Sequence, residues 1–368
     1  MQEITQKYAH LLANYCLEIR AGDKVFVSTT TLAEPLVRAF YRAALEAGAA
    51  VVEIDMAFRE RERIFLDAAS ESALNTPGVL SSIAMESFDC YLAIRAPFNL
   101  REMQNAPEDR SKIRQQALKE QNKNYFERTA DRRLRRNLCQ WPTDASAQEA
   151  GLSLSEYEQF VFNACKLNEA DPRAAWLELR ANQQRIVDRL NASKTVRYTN
   201  PHGTDLSFSC DGRKWINSDG QTNMPSGEVY TSPVEDSVEG VIHYTFPCIY
   251  QGHEVEDVTL WVEKGHIERW EAKRGKAFLD HIFTLPGTRR FGEAAIGTNY
   301  GITRMTKNIL FDEKIGGTVH LAIGQSYLQT GGKNESTVHW DMITDMTQGG
   351  GITADGTLIY QDGQFLSI

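Results

Sequence analysis

The sharpest chemical signal in the sequence is His339-Trp340-Asp341, close to the carboxyl end of the chain. If residues 338–342 form a strand, the imidazole and the carboxylate point to the same face, because side chains alternate with a period of two. The two residues then lie about 6–7 Å apart along the backbone. Imidazole and carboxylate are both donors that divalent metals accept, so we interpret His339 and Asp341 as candidate metal ligands.

Four other residues of the second half of the chain could join this pair. His320 interrupts the apolar run TVHLAIG, and Glu293 is the one carboxylate of the apolar run FGEAAIG. A buried carboxylate without a partner is costly, so Glu293 should meet a cation or a metal. Glu228 and Glu313 also stand beside apolar stretches. The alternatives are a buried, hydrogen-bonded imidazole for His320 and an ordinary exposed loop acid for Glu313.

The number of acids indicates a metal centre rather than a structural cluster. Crowded carboxylates repel one another unless a cation neutralises them, and this donor set suits Zn, Co or Mn. A carboxylate that bridges two ions about 3.5–4 Å apart is the usual way to use so many acids. Such ions would acidify a shared water and polarise a carbonyl. Tyr327 follows His320 by seven residues, and it is either a donor to the resulting oxyanion or a structural tyrosine.

Composition narrows the function classes. The 368 residues carry a net charge of −9, which does not favour binding to nucleic-acid phosphates. No apolar run approaches the roughly 20 residues that span a bilayer, and the chain does not start like a secretory leader. Six dispersed cysteines without a CxxC motif are typical of a reducing compartment. We therefore expect a soluble cytoplasmic protein that binds neither nucleic acid nor membrane.

The elements that must position these residues fall into two classes. Residues 24–28, 32–47 and 50–55 read as strand, helix and strand, and 88–94 as a further strand, which predicts a parallel sheet without a G-x-G-x-x-G nucleotide loop. Residues 103–195 read as mostly helical. From about residue 196 the apolar period becomes two, and glycine-containing turns predict antiparallel hairpins. The predicted fold is an α/β domain at 1–194 with a mostly parallel sheet, and a β-rich α+β domain at 195–368 that carries the metal site.

Four motifs of the second half resemble one known family. They are NMPSGEVYTSP at 223–233, FGEAAIG at 291–297, NILFDE with HLAIG at 308–324, and the HWD sequence. Together they resemble the metallo-aminopeptidases of the aminopeptidase T, aminopeptidase S and PepS group. The resemblance implies two divalent metal ions, removal of N-terminal amino acids from peptides by a hydroxide held between the metals, and a homodimer.

The resemblance also implies a role for individual residues. It implies that Glu293 bridges the two ions and that Tyr327 stabilises the transition state. The remaining metal ligands that it implies are Glu228, Glu313, His320, His339 and Asp341. Two alternatives stay open. One is a ring-cleaving dioxygenase with a single Fe(II) on His320, His339 and Asp341, and the other is a binding protein without turnover.

Overall fold

The structure is a computed structural model, and it describes residues 2–366. The chain divides into two compact units. The first comprises the chain up to Ala174 together with Gly220–Pro225, and the second comprises Ala175–Asp219 together with the chain from Ser226 onward. The domain boundary at residue 194 stays a prediction.

The first unit is built on a parallel sheet, as the alternation of strand and helix predicted. Its strands are β1 Lys24–Thr30, β2 Val51–Ala57, β3 Cys90–Arg95, β4 Arg135–Gln140 and β8 Asn223–Met224. They are arranged in the order β2-β1-β3-β4-β8, and every neighbouring pair is parallel. The helices are α1 Gln2–Leu11, α2 Glu34–Glu46, α3 Arg61–Ala68, α4 Glu71–Leu74, α5 Val79–Ser87, α6 Glu108–Ala117, α7 Lys119–Ala130, α8 Asp144–Glu149, α9 Leu154–Ala164 and the start of α10 Pro172–Asn191. A π-helical turn, Leu12–Cys16, continues α1, and a 3₁₀ turn, Thr31–Ala33, precedes α2.

Local chemistry explains where two of these helices begin. Ser153 caps α9, since its hydroxyl accepts from the Glu156 amide while the Glu156 carboxylate accepts from the Ser153 amide. Asp171 caps α10 by accepting from the amide of Ala174 at 3.0 Å, and Pro172 follows at the first helical position. The patterns Ser153-x-x-Glu156 and Asp171-Pro172 are both typical of helix starts.

Residues 103–195 are mostly helical, as predicted, but one strand that was not predicted interrupts the helices. The basic run that ends at Arg136 leads into β4, which lies inside the parallel sheet between β3 and β8. Arg135 is satisfied there by an ion pair with Asp23 at 2.6 Å, and Arg132 pairs with Glu18 at 3.2 Å. The partners are distant in sequence, so the charge pattern alone gave no sign of a strand.

The second unit is dominated by antiparallel strands, as predicted. The strands are β5 Thr195–Thr199, β6 Asp205–Ser209, β7 Ile216–Ser218, β9 Glu228–Thr231, β10 Glu239–Tyr244, β11 Cys248–Tyr250, β12 His253–Val255, β13 Val258–Glu263, β14 His266–Glu271, β15 Phe291–Gly297, β16 Thr318–Gly324, β17 His339–Asp345, β18 Gly351–Ala354, β19 Thr357–Gln361 and β20 Gln364–Phe365. Its helices are the rest of α10, α11 Lys276–Ile282 and α12 Ile309–Asp312, and a 3₁₀ turn spans Leu328–Thr330.

These strands form two main sheets with a shared apolar core. One sheet has the order β14-β13-β10-β6-β5-β18-β19-β20, the other has the order β17-β16-β15-β9-β7, and β11 pairs with β12. The core cluster of the unit takes residues from both sheets, including Leu260, Ile296, Leu321 and Met342. On β16 this core takes the odd-numbered residues Val319, Leu321 and Ile323, and on β17 it takes the even-numbered residues Trp340 and Met342. Because strand side chains alternate, the residues between them point to the opposite face of the sheet.

The sequence predicted that no segment is apolar enough to span a membrane, and the lengths and compositions of the helices can be compared with this prediction. Within residues 2–366, no helix combines the length and the apolar character that crossing a bilayer requires.

Candidate metal centre

Five of the predicted ligands lie together on the five-stranded sheet. Glu228 begins β9, Glu293 lies on β15, His320 on β16, and His339 and Asp341 on β17. The strands are neighbours in the order β17-β16-β15-β9, so residues that are 113 positions apart in sequence meet on one face.

The strand register leaves room between these side chains. Ala322 pairs with Glu293 on one side and with Asp341 on the other. Ala295 pairs with His320 on one side and with Tyr230 on the other. Since opposite residues of adjacent strands face each other, the two alanines put small side chains where the longer donor residues converge.

The donor atoms form a continuous chain of short distances. Nε2 of His320 lies 3.4 Å from Oε2 of Glu228 and 3.7 Å from Oε1 of Glu293. Nε2 of His339 lies 3.1 Å from the other oxygen of Glu293 and 3.6 Å from Oδ1 of Asp341. The two oxygens of Glu293 therefore point to different histidines.

Two groups of three donors can each hold a metal ion. The first group is Glu228, Glu293 and His320, and the second is Glu293, His339 and Asp341. In each group one ligand atom per residue lies within 4.8 Å of the others. Glu293 belongs to both groups, which is the arrangement that a bridging carboxylate requires.

Unsatisfied atoms show that a cation fits this site. Within residues 2–366, Oε2 of Glu228, both ring nitrogens of His320 and Oδ1 of Asp341 are buried without a hydrogen-bond partner. Leaving buried polar atoms unpaired is costly, and an ion bound between them would satisfy several at once. His339 donates its Nδ1 hydrogen to the Gln325 carbonyl oxygen at 2.8 Å, which leaves Nε2 free to coordinate a metal.

The electrostatics of the cluster also favour cations. Burial alone would lower the pKa of His320, but the nearby carboxylates of Glu293, Glu228 and Asp341 raise it to about 9. Burial alone would raise the pKa of Asp341, yet the imidazole of His339 lowers the pKa of this carboxyl group to about 2. The acids thus create a negative potential strong enough to stabilise positive charge in a buried place.

Glu313 stands apart from the two donor groups. It directly follows α12, and its carboxylate makes a close ion pair with the ammonium group of Lys314. The same ammonium lies 3.6 Å from Oε1 of Glu228. The side chain of Lys314 is 0% exposed. Burial would lower the pKa of Lys314, but Glu228 and Glu313 raise it above its ordinary value, so the residue is a buried cation.

Tyr327 lies at the edge of the cluster. Its hydroxyl is 3.4 Å from Nε2 of His339, and 37% of the residue is exposed. Its ring packs edge-on against Tyr230, with ring centroids 5.5 Å apart. The hydroxyl therefore borders the second donor group.

The segment that carries Tyr327 connects β16 to β17 and is tied at its base. The Gln325 amide donates to the Val338 carbonyl at 2.7 Å, and the Ser326 amide donates to the Asn334 carbonyl at 3.0 Å. The side chain of Asn334 in turn donates to the carbonyls of Gly324 and Gly287. By contrast, Leu328 at the tip is 83% exposed.

The backbone before Glu228 is specified by a glycine. Gly227 has a φ of +117°, and a Cβ at this position would lie 2.6 Å from the Cβ of Asn299. Any other residue would be strained there and would collide with its neighbour. The carbonyl of Glu228 accepts from the buried side chain of Gln183 at 3.3 Å, which fixes the start of β9 from helix α10.

Three contributors to this site were missed by the sequence analysis. Lys314 reads as an ordinary surface charge, although its place directly after Glu313 was a signal that it could contact the cluster. Gln325 contributes through its main-chain carbonyl oxygen, and because every residue has such a group, the residue type does not indicate this role. Gln183 acts from a helix 45 residues before Glu228, so that only the folded chain brings them together.

The chain is similar to known proteins over nearly its whole length. A family model described as thermophilic metalloprotease (M29) matches residues 1–365. Aminopeptidase 2 of Geobacillus stearothermophilus is 28% identical over 391 residues, which cover 95% of this chain and 94% of that protein.

Two solved structures are similar in fold. Wild-type AmpT from Thermus thermophilus has a TM-score of 0.84 at 24% identity, with 99% of each chain covered. The 2,5-dihydroxypyridine dioxygenase from Pseudomonas putida KT2440 has a TM-score of 0.58 at 14% identity, with 99% of this chain and 97% of that chain covered. The family predicted from the four motifs is confirmed. Because the family model spans nearly the whole sequence, the chain belongs to the thermophilic metalloprotease (M29) family.

Proposed function

We propose that this protein is a metal-dependent aminopeptidase that hydrolyses N-terminal amino acids from peptides at a two-metal centre in its second unit. The observation that carries the proposal is the pair of donor groups that share Glu293. Membership of a metalloprotease family and the name of the relative Aminopeptidase 2 agree with it. The proposed ligands are Glu228, Glu293, His320, His339 and Asp341, and Glu313 is proposed to act through Lys314 instead.

The metal ions, when bound, would generate a hydroxide nucleophile at neutral pH and polarise the scissile carbonyl. The protein supplies the geometry for this chemistry. Glu293 directs one oxygen to each donor group, and the Gln325 carbonyl holds the ring of His339 in place. Tyr327 is positioned to donate a hydrogen bond to the oxygen on which negative charge develops.

The donor set also agrees with cleavage at chain ends only. The carboxylates of Glu228, Glu293, Glu313 and Asp341 lie around two histidines and one lysine. A free α-amino group could be held by one of these carboxylates or by a bound metal ion, whereas an internal peptide bond offers no such amine. Substrates with a blocked amino terminus should therefore be poor.

The donor chemistry indicates a class of metal ions rather than one ion. Two histidines with three or more carboxylates suit Zn, Co or Mn. A mononuclear Fe(II) dioxygenase would use His320, His339 and Asp341 alone, and the fold similarity to a dioxygenase makes it the second candidate. The positions of Glu228 and Glu293 inside the same cluster favour two ions over one. A binding protein without turnover would need no tyrosine at the metal edge.

The test combines metal analysis with a substrate screen. Protein purified without added metal is stripped, reloaded with Zn²⁺, Co²⁺ or Mn²⁺, and assayed on amino-acid p-nitroanilides with N-acetylated analogues as the matched control. We expect release of p-nitroaniline from the free-amino substrates only. One iron per chain and oxygen uptake with a dihydroxylated aromatic would contradict the proposal and support the dioxygenase.

Partners and location are part of the proposal. The expected partners are peptides and a second copy of the chain, since the family resemblance implies a homodimer, and neither nucleic acid nor membrane is expected. The six cysteines are buried and free, which agrees with a cytoplasmic location. Light scattering during size-exclusion chromatography tests the dimer, and a mass of about 41.5 kDa would contradict it.

A further inference from the structure

Lys314 is a buried cation inside a site that is proposed to bind two more cations. Its ammonium group contacts Glu313 and lies 3.6 Å from Oε1 of Glu228. The other oxygen of Glu228, Oε2, faces His320 at 3.4 Å. Glu228 is therefore shared between a permanent charge of the protein and the first donor group.

The two donor groups are consequently unequal in charge. The first has the carboxylate of Glu228 and a share of Glu293, but the charge of Glu228 is opposed by Lys314. The second has Asp341 and the other oxygen of Glu293, and its ion pairs within 4.0 Å are with histidines, which are neutral when they coordinate a metal. Like charges repel strongly where water is excluded. The ammonium group of Lys314 therefore repels an ion in the first donor group more strongly than an ion in the second.

We propose that Lys314 makes the two metal positions unequal, so that an ion binds tightly at Glu293, His339 and Asp341 and only weakly at Glu228, Glu293 and His320. This inference rests on the proposed two-metal function. Lys314 is a positioning residue: it holds Glu313 and one oxygen of Glu228 away from the metal. The protein as purified should then hold one ion per chain and should take up the second only when metal is supplied.

The test is a calorimetric titration of Co²⁺ into stripped protein, with the visible absorption of bound Co²⁺ followed in parallel. We expect two separate binding steps for the wild type. In Lys314→Gln the charge is lost but an N–H donor to the carboxylates remains, and the weaker step should tighten by about 10–100-fold. The tighter step should change much less.

Two matched variants separate charge from other effects. Lys314→Arg keeps the positive charge and should keep the weak second step. Lys276→Gln removes a lysine that pairs with Asp280 at 2.7 Å on the surface, and it should bind Co²⁺ like the wild type. Circular dichroism checks that each variant is folded. If Lys314→Gln does not fold, the wild-type titration still decides, because the inference requires two unequal steps.

The outcomes distinguish the inference from the function on which it rests. Two equal steps in the wild type, or an unchanged weak step in Lys314→Gln, would overturn the role of Lys314 even if the protein cleaves peptides. Two unequal steps that respond to Lys314→Gln, without any cleavage of amino-acid p-nitroanilides, would support the inference and contradict the aminopeptidase proposal.

Discussion

Both units of the chain bury a group of polar side chains, but only in the first unit does the group satisfy its own hydrogen-bonding atoms. In the first unit, Gln140 donates to the Trp141 carbonyl at 3.2 Å and to the Ser146 hydroxyl at 3.3 Å. Its own carbonyl accepts from the hydroxyl of Tyr8, and Thr143 and Ser146 bond to each other. No member carries a charge, and within residues 2–366 none has a buried side-chain nitrogen or oxygen without a partner.

The buried polar group in the second unit is charged and is not satisfied by its own hydrogen bonds. It is built from carboxylates, histidines and a lysine, and several of its atoms are buried without a partner. A neutral, matched network stabilises a fold, whereas a charged, unmatched one costs stability until a ligand satisfies it. The comparison shows how to separate structural from functional polar clusters when both are equally buried.

The largest effect is expected from Glu293→Ala. This change removes the oxygen that faces His320 and the oxygen that faces His339 together. Both donor groups lose a member, so metal content should fall below one ion per chain and activity should fall at least about 10³-fold. Elemental analysis and p-nitroanilide kinetics measure this. Full turnover would contradict the shared role of Glu293.

The next effect is expected from Tyr327→Phe. If the hydroxyl stabilises the oxyanion, kcat should fall by roughly 10²–10³ with little change in metal content. Tyr230→Phe is the matched control, because Tyr230 packs against Tyr327 while its hydroxyl accepts from Gln329 at 3.1 Å. An unchanged kcat in Tyr327→Phe would make this tyrosine structural.

Metal removal should affect the two groups differently. A ligand present at 100 times its Kd stabilises the folded protein by about 2.7 kcal/mol, and chelation removes that stabilisation. Hydrogen exchange should therefore quicken in β15, β16 and β17 after chelation, while β1 and β3 of the first unit keep their protection. Equal changes in both units would show that the metal does not act locally at the proposed site.

The smallest effect is expected from Gln140→Leu. The change leaves the Trp141 carbonyl without the donor Gln140 and removes one of the two donors to the Ser146 hydroxyl, at a cost of about 1–3 kcal/mol. The thermal midpoint should drop by several degrees while metal content and kcat stay unchanged. A loss of metal in this variant would contradict the separation of the two groups.

The placement of the candidate ligands on strand faces was predictable, because the period of two constrains side-chain direction strongly. His339 and Asp341 share a face since they are two residues apart on β17. Val319, Leu321 and Ile323 are in the apolar core, so His320 lies on the other face of β16, as the alternating pattern predicted. The expectation that Glu293 meets cationic groups followed from the cost of burying its charge, and its histidine contacts agree with it.

What escaped prediction depends on contacts between distant parts of the chain. Strand β4 was hidden because Arg135 looks like a solvated residue until its partner Asp23 is placed beside it. Strand β8 has only two residues and joins a sheet whose other strands end 83 residues earlier. Lys314 is charged, and a buried charge becomes apparent only once its two carboxylate partners are known.

The tied base of the segment between β16 and β17 has a consequence for how this protein could diversify. Gln325 and Asn334 fix the stem that holds Tyr327 against His339, and Thr330 further along the segment is buried and donates to the Ser232 hydroxyl at 2.7 Å. Leu328, by contrast, is 83% exposed, so it can be exchanged without moving the reactive groups. Laboratory evolution of new substrate preferences is therefore best begun at Leu328.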